Sequence, residues 1–120
     1  GRERYSFRHA LTRDIIYAEL LTERTRPLHR RIAQTLERIA AGGDAPVDDL
    51  AYHSWAAGDV RRALRYNELA GDRAAAVHAE DDARTYYDRA RGASAVDSRA
   101  YARLTAKLNA IGSTERVVPR

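Results

Sequence analysis

The chain has 120 residues, a net charge of +4 and no cysteine. This length allows one domain or a few stacked helical units, and the lack of cysteine excludes disulfides and thiolate chemistry. No apolar run is long enough to cross a bilayer or to serve as a secretory signal, so we expect a cytoplasmic protein without a membrane partner. Because the chain opens on Gly1 rather than Met, we expect a segment of a longer protein.

Apolar residues recur at helical spacing along nearly the whole chain. Alanine, leucine and arginine dominate, while β-branched residues are sparse, which favours helix. The pattern predicts an all-α fold of about six helices, at 8–22, 25–41, 47–57, 60–77, 81–92 and 97–111. Since the connections are short, neighbouring helices should form stacked antiparallel hairpins. We expect a helix pair over 1–41, hairpins over 42–112 and a flexible tail over 113–120.

Several residues mark helix ends or close packing. Pro27 fits the first turn of the second predicted helix, and Asp59 can cap the fourth. Gly71 lies inside a predicted helix, where glycine costs about 1 kcal/mol relative to alanine, so close approach of a neighbouring helix is its expected reason. Asp81 and Asp82 suit a helix first turn, where acids complement the dipole, better than a cation site.

A small–aromatic–small spacing recurs on two predicted helices. It occurs in Ala83, Tyr87 and Ala90 and, with the aromatic one position early, in Ala63, Tyr66 and Ala70. A methyl group on one helix leaves room for a ring from its partner, so the helices can interlock. Residues 64–97 resemble one tetratricopeptide unit, preceded by a partial unit from about 44. The unit departs from that pattern in three ways. It lacks the opening Trp and the closing Pro of a tetratricopeptide unit, and His78 replaces the usual turn residue.

A second resemblance covers residues 5–92 and consists of many weak positions. It rests on the segments Tyr5-Ser6-Phe7-Arg8-His9-Ala10-Leu11-Thr12-Arg13-Asp14-Ile15-Ile16-Tyr17, Leu28-His29-Arg30-Arg31-Ile32-Ala33, Leu36-Glu37, Ala57-Gly58-Asp59, Arg62-Ala63, Tyr66 and Ala70-Gly71-Asp72-Arg73-Ala74. These resemble the region after the ATPase and winged-helix modules of large bacterial signal-transduction ATPases, including ATP-binding LuxR-type transcriptional regulators. The resemblance implies a regulatory helical-repeat region that senses a partner or an inducer.

Tyr52 and Trp55 are the candidate partner-binding aromatics. In the tetratricopeptide register they would face a concave groove, opposite the charged residues Arg65, Glu68 and Asp72. An aromatic pair beside mixed charges could hold a peptide. The alternative is that Trp55 is a core residue between the second and fourth predicted helices, and the sequence leaves both interpretations open.

The basic excess lies in the first third of the chain. Residues 1–40 carry nine arginines against five acids, whereas residues 41–120 are balanced. We expect Arg24, Arg30 and Arg31 to dock onto a preceding domain of the parent chain. The alternative is nucleic-acid binding by these helices, which the interleaved acids and the lack of a dense basic face disfavour.

No catalytic, cofactor or metal site is predicted. Gly42-Gly43 lacks the Lys-Ser or Lys-Thr of a phosphate loop, and no two histidines share one helix at metal-ligand spacing. We expect His9 and His29 to pack between the first two helices, and His53 and His78 to lie at helix surfaces or ends. The sequence therefore predicts a non-catalytic module whose partner is a protein, a peptide or a small inducer.

Overall fold

The computed structural model describes residues 2–43 and 45–116, with side chains described for 10–41, 43 and 45–111. Within these residues the fold is all-α and contains no strand, as the composition predicts. The described residues form five α-helices: α1 Arg2–Ile39, α2 Val47–Ala56, α3 Val60–Ala76, α4 Glu80–Gly92 and α5 Arg99–Arg116. A 3-10 turn over Ala40–Gly42 follows α1.

The first two predicted helices form one. α1 runs for 38 residues through Pro27, which lies inside the helix rather than in a first turn. Proline removes one backbone donor from the helical ladder, leaving the carbonyl of Glu23 without its usual partner. This part of α1 is largely exposed, so water can satisfy that carbonyl. No glycine lies between Thr22 and Pro27 to end the helix, and the six-helix prediction therefore becomes five helices.

Two corners of the same kind join α2 to α3 and α3 to α4. After α2, Gly58 N–H donates to the Trp55 carbonyl and Asp59 N–H to that of Ser54, at 3.0 and 3.1 Å. Gly58 has φ +68°, the left-handed conformation of this C-terminal motif. Asp59 then caps α3 by accepting from the Arg62 N–H, which confirms its predicted role. His78 occupies the equivalent position after α3 with φ +61°.

One part of the core lies between α1, α2 and α3. Its buried members are Ala33, Val47, Leu50, Ala51, Tyr66 and Ala70. Asn67 is fully buried between α2 and α3, and its side-chain amide donates to the carbonyls of Ala51 and Ala63 at 3.0 and 2.8 Å. These bonds fix how α2 and α3 are aligned along their length. Asn67 stands where the small–aromatic–small spacing, between Ala63 and Ala70, would place an aromatic ring.

The other part of the core lies between α3, α4 and α5. Ala83 and Ala90 are fully buried with Tyr87, as the spacing predicts. A methyl group added at Gly71 would approach the Tyr87 ring to 2.6 Å. Close packing therefore explains this glycine, as predicted, and the Tyr87 hydroxyl completes the contact by donating to Asp72 at 2.7 Å.

Each helix packs against the next along the chain. His29 of α1 meets His53 of α2, Asn67 of α3 meets Ala51, and Thr105 of α5 meets Arg91 of α4. α5 continues to Arg116 instead of ending at residue 111, and the rest of the predicted tail, 117–120, lies outside the described residues. Across the described part of the chain, no helix is both long and apolar enough to cross a membrane.

Candidate partner-binding surface

Tyr52 and Trp55 lie three residues apart on one exposed side of α2. Their ring centroids are 6.4 Å apart, and the two residues are 46% and 45% exposed. Trp55 is therefore not the core residue of the alternative interpretation. Buried α2 residues, among them Leu50, Ala51 and Ser54, turn the opposite side of the helix towards the core, which directs the two aromatics outward.

Arg89 of α4 completes what we call the aromatic surface, formed by Tyr52, Trp55 and Arg89. The Arg89 guanidinium lies over the Trp55 ring, 4.1 Å from its centroid, a cation–π contact that orients the indole. Beside Trp55 lies a cavity of about 360 Å³ whose wall includes Val60, Asp88 and Arg89. The sequence pointed to Tyr52 and Trp55 but not to Arg89, which comes from another helix.

Two histidines meet beside the aromatic surface. The Nδ1 atoms of His29 and His53 are 2.8 Å apart, so one ring donates to the other, and the Tyr52 ring packs edge-on against His29. Burial is the main cause of a lowered His53 pKa, reinforced by His29 and opposed by Asp49. The prediction that His29 packs between the first two predicted helices is wrong, because these form the single helix α1 and His29 packs against α2 instead. His53 is half-buried in the α1–α2 interface rather than lying at a helix surface or end.

The charged residues predicted to share the groove belong to a different contact network. Glu68 of α3 accepts from Arg103 of α5 through both carboxylate oxygens, at 2.6 and 2.7 Å. Lys107 bridges Glu68 and Asp72 at 3.0 and 2.8 Å. The hydrogen bonds from Arg103 lower the pKa of Glu68 to about 2, against a smaller raising effect of burial. These ion pairs hold α5 against α3.

The aromatic pair and the charged residues that were predicted to line one groove have different neighbours in the structure. Tyr52 and Trp55 contact one another and His29, His53 and Arg89. Arg65 lies over the Tyr66 ring, while Glu68 and Asp72 bond α5. No contact recorded among the described side chains joins the two sets. The aromatic half is exposed to solvent, whereas the carboxylates have intramolecular partners.

A polar network that the sequence did not indicate links α1 to α3. Glu37 accepts from the Tyr66 hydroxyl and from Arg62 Nε, the latter at 2.9 Å. The hydrogen bond from Tyr66 is the main cause of a lowered Glu37 pKa, and burial is the main cause of a raised Tyr66 pKa. Arg62 also bonds Asp59 at 2.8 Å, so the network anchors the start of α3 to α1.

The other predicted charged residues lie at exposed positions. Arg24, Arg30 and Arg31 are all exposed on α1, where a neighbouring domain could reach them. Asp48 and Asp49 lie in the first turn of α2, and Asp81 and Asp82 in that of α4, as dipole complementation requires. Among the residues whose side chains are described, no three potential ligands gather to hold a metal ion. His78 lies at a helix end as predicted, and the His9 side chain lies outside the described residues.

Comparison with models of protein families, with curated proteins and with solved structures finds no match to this chain. The resemblance to tetratricopeptide units and to bacterial signalling ATPases therefore stays a prediction, which rests on the quoted residues. The geometry defines an all-α protein with an exposed aromatic surface.

Proposed function

We propose that this chain is a non-catalytic, helical-repeat interaction module of a larger bacterial transcriptional regulator or signalling ATPase. Its partner is a protein or peptide segment that binds the aromatic surface. One observation carries the proposal: Trp55 is nearly half exposed, held by Arg89 and adjacent to a cavity. Tryptophan, tyrosine and arginine are the residues that most often dominate binding energy at interfaces.

The pre-set geometry of the aromatic surface favours binding. Trp55 contacts both the Arg89 guanidinium and the Tyr52 ring, which reduces the side-chain freedom that it loses when a partner binds. The neighbouring cavity of about 360 Å³ has room for one or two apolar side chains of a peptide. Asp88 and Arg89 at its edge offer both signs of charge to the peptide backbone.

The test is selection of binders from a random peptide library displayed on phage, followed by titration of synthetic peptides. Trp55 is the single tryptophan, so its fluorescence reports binding at this surface directly. We expect selected peptides to shift Trp55 emission, and Trp55→Ala or Tyr52→Ala to weaken their binding about tenfold or more. Tyr17→Ala, which removes another exposed tyrosine, should leave affinity unchanged.

Two outcomes would count against the proposal: a library that yields no binder, or binders that tolerate both aromatic substitutions. The regulator context has a test of its own in the parent gene. We expect a nucleotide-binding loop to be encoded upstream, and a parent open reading frame without one would contradict this part of the proposal.

A further inference from the structure

Residues 11–25 of α1 carry a stripe of apolar residues and threonines that is exposed except at the half-buried Thr25. Its members, Leu11, Ile15, Ala18, Thr22 and Thr25, recur at alternating spacings of four and three residues, which places them on one side of a helix. We call this stripe the α1 seam. The same spacing continues to His29 and Leu36, which pack against α2 and the core. Because α2 has only ten residues, its contacts with α1 lie from about His29 onward.

Leu11 and Ile15 of the α1 seam are 50% and 55% exposed. Ile16 and Leu20, on the other side of α1, are 50% and 52% exposed, so the seam is distinguished by its regular spacing and not by its exposure. The threonine hydroxyls bond back to their own helix: Thr22 Oγ1 donates to the Ala18 carbonyl at 2.9 Å, and Thr25 Oγ1 to that of Leu21 at 3.0 Å. With their hydroxyls satisfied, these threonines present methyl groups to a partner.

The seam is self-complementary in shape when a second copy runs antiparallel. Its first part carries large side chains, Leu11 and Ile15, and its second part carries small ones, Ala18 to Thr25. An antiparallel copy crossing at Ala18, the midpoint, sets large residues of each helix against small residues of the other, which is how knobs fill holes. A parallel copy in register would set leucine on leucine and leave gaps at the threonines.

Charge and area agree with this arrangement. Asp14 flanks the seam, and a parallel pair in register would place the two Asp14 carboxylates side by side, whereas the antiparallel pair separates them. Antiparallel helices also oppose their dipoles favourably. The seam and its flanks offer on the order of 500 Å² per copy, so two copies bury on the order of 1,000 Å², near the lower limit for a specific interface.

We infer that the α1 seam is a homodimerisation surface, on which two copies of this chain pair antiparallel with Ala18 near the twofold axis. We expect a weak dimer that dissociates in the micromolar range, since interfaces at this lower limit of area are often transient. This inference concerns a different surface from the one proposed to bind a partner, and the two can fail independently.

Adjacent isoleucines provide a matched test. Ile15 belongs to the seam, whereas Ile16 is turned about 100° around the helix and is 50% exposed. At about 100 μM we expect sedimentation equilibrium to give a mass about twice the 13.5 kDa of the chain. Ile15→Asp should restore the monomer, while Ile16→Asp, with the same loss of helix propensity, should stay dimeric. Far-UV circular dichroism checks that both variants keep their helices.

Cysteine crosslinking tests the orientation, since the chain contains no cysteine of its own. Under mild oxidation we expect Ala18→Cys to form a disulfide-linked dimer. Leu11→Cys should crosslink with Thr25→Cys when the two variants are mixed, but not with itself. A monomeric wild-type chain at 100 μM, equal effects of Ile15→Asp and Ile16→Asp, or efficient self-crosslinking of Leu11→Cys would overturn the inference.

Discussion

At the scale of single residues, His78 is held in a conformation that suits glycine. Its φ of +61° matches the +68° of Gly58 at the equivalent corner, and the backbone hydrogen bonds of the two corners correspond. A non-glycine residue in the left-handed region costs about 1–2 kcal/mol. His78 is exposed and at a helix end, so its side chain supplies little packing in return.

We therefore expect His78→Gly to stabilise the fold by about 1 kcal/mol, because the strain is relieved without loss of packing. Urea denaturation followed by Trp55 fluorescence measures the change. Gly58→Ala is the matched opposite and should destabilise by about 1 kcal/mol. If His78→Gly lowered the free energy of unfolding, the imidazole would have to make a stabilising contact that outweighs the backbone strain.

Gly71 and Gly92 are both helical glycines with opposite surroundings. At Gly71 a new methyl group would lie 2.6 Å from the Tyr87 ring, whereas at Gly92 nothing lies within 4 Å. We expect Gly71→Ala to destabilise by about 2 kcal/mol, since overpacking exceeds the gain in helix propensity. Gly92→Ala should be neutral or slightly stabilising. Thermal unfolding of the two variants measures the difference, and similar melting temperatures would contradict the close packing of α3 against α4.

At the scale of helices, the sequence predicted the middle of the chain well and its ends less well. The limits of α2, α3 and α4 agree with prediction within one residue, because Gly58, Asp59 and the acids in the first turns of α2 and α4 act locally. The ends of α1 and α5 did not follow from local signals. Pro27 and Gly112 look like a boundary and a stop in the sequence, but both lie inside helices.

The link between α3 and α5 depends on an ionised Glu68. Because Arg103 and Lys107 lower the pKa of Glu68 to about 2 in the folded state, the unfolded chain takes up this proton first as the pH falls. The stabilisation is therefore fully present above about pH 4.5 and is lost progressively towards pH 2. Arg103 is about half exposed, so solvent screening limits the effect to about 1 kcal/mol.

We expect Glu68→Gln to destabilise the fold by about 1 kcal/mol at pH 7 and to make its stability less dependent on pH between 4.5 and 2. Urea denaturation at several pH values measures both effects. Glu23→Gln, at an exposed position on α1, is the control and should follow the wild type. A Glu68→Gln variant with unchanged stability at neutral pH would show that the ion pairs with α5 do not form in solution.

At the scale of the whole molecule, the candidate site was predicted only in part. A helical repeat pattern identifies which residues of one helix share a side, so Tyr52 with Trp55 was within reach of the sequence. It does not fix how one helix is rotated against the next. The separation of Trp55 from Glu68 and the approach of Arg89 to Trp55 depend on that rotation. For the same reason the meeting of His29 with His53 could not be foreseen.

The packing of each helix mainly against its sequence neighbours also bears on how the chain folds. Helical hairpins with short connections close small loops, so little chain entropy is lost before native contacts form. Proteins dominated by such local contacts fold in microseconds to milliseconds. Because α3 lies between α2 and α4 and also bonds α1 and α5, a nucleus around this helix would let structure spread in both directions, and the outermost helices would be the first to open.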